Sequence, residues 1–156
     1  MVAFNHIHLH SMDSNPYSGL EVDSVVPFQK YIDQAVKDGM TALAFTEHGA
    51  VLHNIAKRQA CEKAGIKYIN AEEFYVTETI DENNLVRDNY HCCLFAKNYQ
   101  GVLELNYLSS ISFNRKDGHF YYNPRITLDE LHPWQTGLCP VVILSVLVSV
   151  RHADSG

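Results

Sequence analysis

Three histidines stand at every second position near the start of the chain: His6, His8 and His10, in the run FNHIHLHS. On an extended strand alternate side chains share a face, with Cβ atoms roughly 7 Å apart, so two such imidazoles can converge on one metal ion or on two adjacent ions. Imidazole suits zinc, iron and manganese, and a carboxylate can bridge two of them. Groups of both kinds recur at Glu47 and His48 in TALAFTEHGA, at Glu73 in INAEEFYVTE, and at His91 in NYHCCLFAK. Two ions ~3.5–4 Å apart can activate a water and stabilise a phosphoryl leaving oxygen, so the chemistry this set suits is phosphoester hydrolysis. A lone histidine is usually an ordinary surface or core residue. Nine in one chain, against roughly three or four at ordinary usage, with three on one strand face, is a different situation. A Ser or Cys nucleophile has no support: the sequence holds no G-x-S-x-G elbow and no recognisable Cys–His pair.

These groups need a scaffold, and the hydrophobic pattern supplies one. Val2 to His10 alternates as a strand, and Ser11 to Gly19 reads as a loop. Pro27 opens a helix with Phe28, Tyr31, Ile32, Ala35 and Val36 at helical spacing, and Gly39 stops it. Thr41 to Thr46 is a short buried strand that runs into Glu47-His48-Gly49. A second helix covers about Val51 to Ala64, with Leu52, Ile55, Ala56 and Ala60 on its buried side. Ile66 to Val76 is a third strand with Glu72 and Glu73 near its end, and the polar segment Thr77 to Asn89 is an exposed loop. Tyr90 to Ala96 is a fourth strand, followed by a helix from about Asn98 to Ser110. Thr127-Leu128-Asp129-Glu130 fits a capping box that opens a short helix, and Leu138 to Val150 reads as one or two buried strands. Such alternation predicts an α/β fold with a mostly parallel sheet, in which ligands gather at the carboxyl ends of the strands. His8, His10, Glu47, His48 and Glu73 obey that rule. His91 sits near the start of its strand, which needs either a shifted strand edge or an antiparallel step.

Composition narrows the class. The 156 residues are 46% hydrophobic and 19% charged, enough to build a core and far from a disordered composition. No apolar run approaches the ~20 residues of a membrane span, and the N-terminus lacks the pattern of a secretory signal. A net charge of −6 argues against an autonomous nucleic-acid-binding module. Cys61, Cys92, Cys93 and Cys139 form no C-x-x-C pair, and adjacent Cys92 and Cys93 face opposite sides of a strand, so reduced thiols in a cytoplasmic protein are expected rather than a zinc ribbon or a disulfide framework.

Taken in order, FNHIHLHS, TALAFTEHGA, GIKYINAEEFYVTE, NYHCCLFAKNYQGVLELNYLSS and GHFYYNPRITLDEL resemble one family, the PHP (polymerase and histidinol phosphatase) domain. The version they resemble stands at the N-terminus of the bacterial and phage replicative DNA polymerase III alpha subunit. The resemblance covers about residues 4 to 131, and it implies an irregular (β/α)7 TIM-like barrel holding two to three divalent ions, zinc, manganese or iron. It implies His8 and His10 as the first ligand pair, His48 as the ligand of a T-D-H-G motif in which Glu47 replaces Asp, Glu73 as the bridging carboxylate, and His91 as the ligand opening the fourth motif. Asp23 matches the acidic ligand of the first long loop, with Asp13 as competitor. Glu73 and His91 carry the catalytic assignment. His6 suits a supporting role beside the ligands. His53, His119, His132 and His152 match no ligand position, and Arg125 suits a phosphate contact or a structural ion pair.

The resemblance stops near Leu131. An Asp-x-His pair expected on the family's last strand is missing, and HPWQTGLCPVVILSVLVSVRHADSG does not match at the expected spacing. Cys139 is a weak substitute for a later Cys or His ligand, and His152 with Asp154 stands in reversed order. The expected division is therefore 1–131 as the N-terminal portion of a PHP domain and 132–156 as an apolar tail that packs less well. A truncated gene, a change of frame or a divergent tail would each produce it. Three functions follow: a polymerase PHP domain with 3′→5′ exonuclease-type phosphoesterase activity, polymerase chemistry lying in later domains; a stand-alone phosphoesterase acting on a small phosphomonoester; or a silent scaffold that keeps metals for stability. The first implies DNA, reached through the parent polymerase, and other replisome subunits as partners, and no membrane.

Overall fold

A computed structural model of the chain describes residues 4–14, 22–82, 90–131 and 137–141. Its helices are α1 (Phe28–Lys37), α2 (Asn54–Lys63), α3 (Tyr99–Ser112) and α4 (Leu128–Leu131). Its strands are β1 (Ala42–Phe45), β2 (Lys67–Thr77), β3 (Tyr90–Ala96), β4 (Phe120–Tyr121), β5 (Asn123–Thr127) and β6 (Leu138–Val141). The boundaries expected for the elements between Pro27 and Ser110 hold to within a few residues, whereas β4 and β5 were not expected. α3 begins where Asn98 Oδ1 accepts the Gly101 N–H at 3.0 Å, and Glu130 caps Thr127 N at 2.8 Å while Thr127 Oγ1 accepts Glu130 N at 3.3 Å. Gly39 and Gly65 end α1 and α2 at φ +69° and +74°, where a side chain would be strained.

The fold is mixed α/β, and the sheet is mixed rather than mostly parallel. β2 is its spine. β1 and β5 run parallel to β2, whereas β3 is antiparallel to it, and β6 to β3. The antiparallel step at β3 resolves the position of His91: the start of β3 lies opposite the far end of β2, with His91 facing Tyr75. β6 falls within the segment expected to diverge, yet it pairs along β3 from Cys93↔Val141 to Ala96↔Leu138. Residues 142–156, with His152 and Asp154, and also His132, lie outside the described residues.

The first segment departs from the expected strand. Phe4 to His10 is extended and runs beside β1, with Ala44 N donating to His6 O at 3.2 Å and Thr46 N to Leu9 O at 2.9 Å. The segment advances three residues between those bonds while β1 advances two, so no regular ladder forms. Asn5 Oδ1 accepts the amides of Thr41 and Ala42 at 2.9 and 3.0 Å, replacing backbone partners there.

Two apolar clusters flank β2. Phe74, Val76, Cys92 and Leu94 pack with Leu105 and Leu108 of α3, and with Ile126 and Leu138. Leu43 and Phe45 of β1 pack with Ile32 and Ala35 of α1, Cys61 of α2, and Ile66. The buried face of α2 differs from the expected one. Leu52 and Ile55 are exposed, and the helix buries Lys57 and Cys61 instead. A buried lysine reads as a surface residue in any hydrophobicity pattern, so only its partners, described next, explain that rotation.

Candidate metal centre

The face of β2 and β3 opposite α3 carries the chemistry. Strand alternation places Glu73, Tyr75, His91 and Cys93 on it, because Glu73 pairs with Cys93 and Tyr75 with His91. It sends Glu72 to the other face, where burial pushes the carboxyl well above its usual range against the pull of Ser109. The turn after β1 is clamped to the same point. Glu73 N donates to Glu47 O at 3.1 Å and Gly49 N to Glu73 O at 2.8 Å. The bridge His48↔Glu73 keeps the register of Phe45↔Asn70, so His48 is delivered beside Glu73.

Glu73 is the hub. Its Oε2 lies 3.0 Å from His8 Nε2, 3.0 Å from His10 Nε2 and 3.6 Å from His48 Nδ1, and its Oε1 lies 2.6 Å from His91 Nδ1. Burial works against the carboxylate charge, but hydrogen bonds from His10 and His91, the pull of His48 and a further bond from His8 outweigh it and hold the group well below the usual carboxylate range. Asp23 closes the other side, at 3.5 Å from His10 Nδ1 and 3.7 Å from His48 Nε2. All six residues expected as ligands thus come together. Asp13 does not join them: it pairs with Lys57 at 2.9 Å and His53 at 3.0 Å.

The donor set fits divalent cations. Donors about 2.1 Å from a shared ion and at right angles lie ~3.0 Å apart, and tetrahedral ones ~3.4 Å. The 3.0 Å approaches of His8 and His10 Nε2 to each other and to Glu73 match the first value, and the 3.7 Å contact of Asp23 with His48 Nε2 lies near the second. His48 suits ligation because its proton is disfavoured: burial lowers its pKa, as does repulsion from His10 and His91, against the pull of Glu73 and Asp23. For His10 burial also works against the charged ring, but Glu73 with Asp23 and Glu47 wins, and the pKa rises. A protonated His10 supplies to Glu73 part of the positive charge that a cation would bring.

Three residues that pattern reading passed over, Ser11, Ser14 and Lys57, support the ligands by holding Glu47. Glu47 is buried, and its two oxygens accept Ser11 N at 2.9 Å, Ser11 Oγ at 2.5 Å, Ser14 Oγ at 2.5 Å and Lys57 Nζ at 2.7 Å. That fills the four acceptor positions of a carboxylate. Lys57 donates to Glu47 and to Leu52 O at 2.9 Å, and pairs by charge with Asp13. A fully committed Glu47 therefore has no acceptor position left for a histidine, although it neighbours His48 in sequence. Ser14 has one proton and gives it to Glu47, so it can only accept from His10 Nδ1 at 3.0 Å and from His48 N at 3.2 Å. His10 must then carry its proton on Nδ1, which turns the Nε2 lone pair towards Glu73 whenever the ring is neutral. Ser14→Ala is expected to weaken zinc or manganese affinity by about 10–100-fold with little change in fold. Chelator competition would check this, and an unchanged affinity would show that Ser14 does not orient His10. Cys93 was passed over as well: it is wholly buried, and its sulfur lies within 4.8 Å of donor atoms of His8 and Glu73. The available signal was its place two residues after His91, on the same strand face.

The remaining candidates do other work. His6 is exposed, and its ring packs edge-on against Phe4 at 4.7 Å rather than beside the ligands. His53 pairs with Asp13. His119 bridges Asp117 and Glu130, both at 2.7 Å. Arg125 is buried and donates to His119 O and Gly118 O, a structural role.

The family model described as "PHP domain" matches residues 6–147. The chain is 37% identical over 139 residues to the DNA polymerase III subunit alpha of Borreliella burgdorferi, and 34% identical over 141 residues to that of Helicobacter pylori. These alignments cover 86% and 87% of the chain, but only 11% of each relative. Among solved structures, an amidohydrolase from Chromobacterium violaceum aligns with 69% of this chain and 33% of its own, at 21% identity and a TM-score of 0.46. With the family model running through most of its length, the chain belongs to the PHP domain family.

Proposed function

We propose that this chain is the PHP domain of a replicative DNA polymerase III alpha subunit, and that His8, His10, Asp23, His48, Glu73 and His91 hold two to three divalent ions for phosphoester hydrolysis of the 3′→5′ exonuclease type. The observation that carries this is one buried carboxylate, Glu73, within 3.6 Å of nitrogens from four histidines. Bound zinc, manganese or iron would supply Lewis acidity and an activated water. The chain's own residues supply the rest. Glu73 would be the carboxylate shared between ions, His91 holds its Oε1 at 2.6 Å, and Ser14 orients His10. The described strands form part of an irregular (β/α)7 barrel in this reading, and 1–131 is its N-terminal portion, followed by an apolar tail. DNA, reached through the parent polymerase, and replisome subunits are the partners, in the cytoplasm. Among the described residues no helix is long and apolar enough to cross a membrane.

The test is release of nucleotide from single-stranded DNA, and of phosphate from a generic phosphomonoester, with manganese or zinc added. Release from DNA that stops on chelation is the expected result. Activity on the small ester alone would favour a stand-alone phosphoesterase. Activity that survives both chelation and Glu73→Gln would rule out the metal mechanism. A folded, metal-loaded protein with no activity on either substrate would be a scaffold.

A further inference from the structure

The six expected ligands of the site are all nitrogen and oxygen donors, yet a sulfur atom stands among them. Cys93 is directly opposite Glu73 in the antiparallel pairing of β2 and β3, and two residues from His91 on one strand, so its side chain faces the Glu73 side of the sheet. Its neighbour Cys92 takes the other face and packs into the apolar cluster with Phe74, Leu94 and Leu105. Cys93 is fully buried, as is the Glu73 carboxylate beside it to within 4%. One donor atom each from His8, Glu73 and Cys93 lie within 4.8 Å of one another. Donors about 2.1–2.3 Å from one tetrahedral zinc stand ~3.4–3.8 Å apart, so the three side chains need only close slightly to share an ion.

We propose that Cys93 is a sulfur ligand, so that His8, Glu73 and Cys93 form a soft, zinc-selective position within the metal centre. This deepens the functional reading above and rests on it. Ligation breaks the Cys93 S–H bond: the proton leaves to solvent and the sulfur lone pair goes to the metal, with no change of oxidation state. Burial, with the Glu73 carboxylate beside it, pushes the free Cys93 thiol up to about 12, so the sulfur keeps its proton until an ion displaces it. Thiolate selects zinc or cobalt(II) over manganese, magnesium and calcium, which prefer oxygen donors. The consequence is one position that discriminates between metals, next to Asp23, His10 and His48, a set of nitrogen and oxygen donors only.

Cobalt(II) loading of the full chain tests this directly. Cobalt should give visible d–d bands from the histidine and carboxylate donors, together with a near-ultraviolet sulfur-to-cobalt charge-transfer band. Cys93→Ser should lose the charge-transfer band, keep d–d bands as its own check of folding, and lower the zinc-over-manganese preference by about tenfold or more. Cys61→Ala and Cys92→Ala should keep the band. d–d bands without charge transfer in the unmodified chain would overturn the role of Cys93 and leave the metal centre standing. A charge-transfer band that persists in Cys93→Ser would overturn it too. Absence of both kinds of band would overturn the metal centre and the cysteine role together.

Discussion

Glu73→Gln is expected to abolish stoichiometric metal binding and to lower turnover by more than about 100-fold, beyond the 10–100-fold typical of residues that only support a ligand. The substitution keeps the shape and removes the charge that four imidazoles surround. It also puts an NH2 group either where His8 and His10 bring nitrogens at 3.0 Å or where His91 brings one at 2.6 Å, so one side of the cluster loses its acceptor. Thermal unfolding separates this from loss of fold. A ligand at a thousandfold excess over its Kd stabilises the native state by about 4 kcal/mol, or about 8–16 °C for a domain of this size. Unmodified protein should show a rise of that order on adding zinc or manganese, and Glu73→Gln should show none. A metal-induced rise of the same size in both proteins would mean that the ions bind elsewhere. His8→Ala and His91→Ala should follow Glu73→Gln in direction, while His132→Ala and His152→Ala should leave metal content and turnover unchanged.

Lys57→Met should destabilise the fold by about 3–5 kcal/mol, the cost of breaking a buried ion pair by removing one partner. Lys57 is 1% exposed and its ammonium lies 2.7 Å from Glu47 and 2.9 Å from Asp13. Methionine fills similar volume, so the loss reports two carboxylates without a counter-charge rather than a cavity. Denaturant titration would read it. The double variant Lys57→Met with Glu47→Gln should recover part of the loss, because the two residues share one network. A loss below about 1 kcal/mol, the range of exposed ion pairs, would show that the network does not hold the Glu47 turn. If it does hold the turn, metal affinity should fall alongside stability, since Ser14 connects Glu47 to both His10 and His48.

Much of the site was legible along the chain because its residues are of rare types at regular spacing. Alternation alone made His8 and His10 neighbours, and the family motifs separated Glu73 from Glu72 and favoured Asp23 over Asp13. The supporting shell was not legible. Ser11, Ser14 and Lys57 are common residues at unremarkable positions, and each acquires its role from one partner, Glu47, that is 10 to 36 residues away. Lys57 misled most: a lysine at a buried helix position inverts the pattern from which a helix face is read, so Leu52 and Ile55 were expected inside and stand exposed.

By itself the sequence determined the alternating elements, the helix caps and stops, and the residue types able to hold metal. Those depend on local periodicity and on side-chain chemistry, which travel with the chain wherever it packs. Only the tertiary structure decided that β3 runs antiparallel to β2, which carries His91 across to Glu73 and sets Cys93 directly opposite it. Strand direction and pairing come from contacts between distant segments, and a strand's own alternation reads the same in either direction. The same pairing decided which of two adjacent cysteines meets the histidines and which joins the apolar core, since alternation separates Cys92 from Cys93 but only the packing of α3 on one face tells the two sides apart.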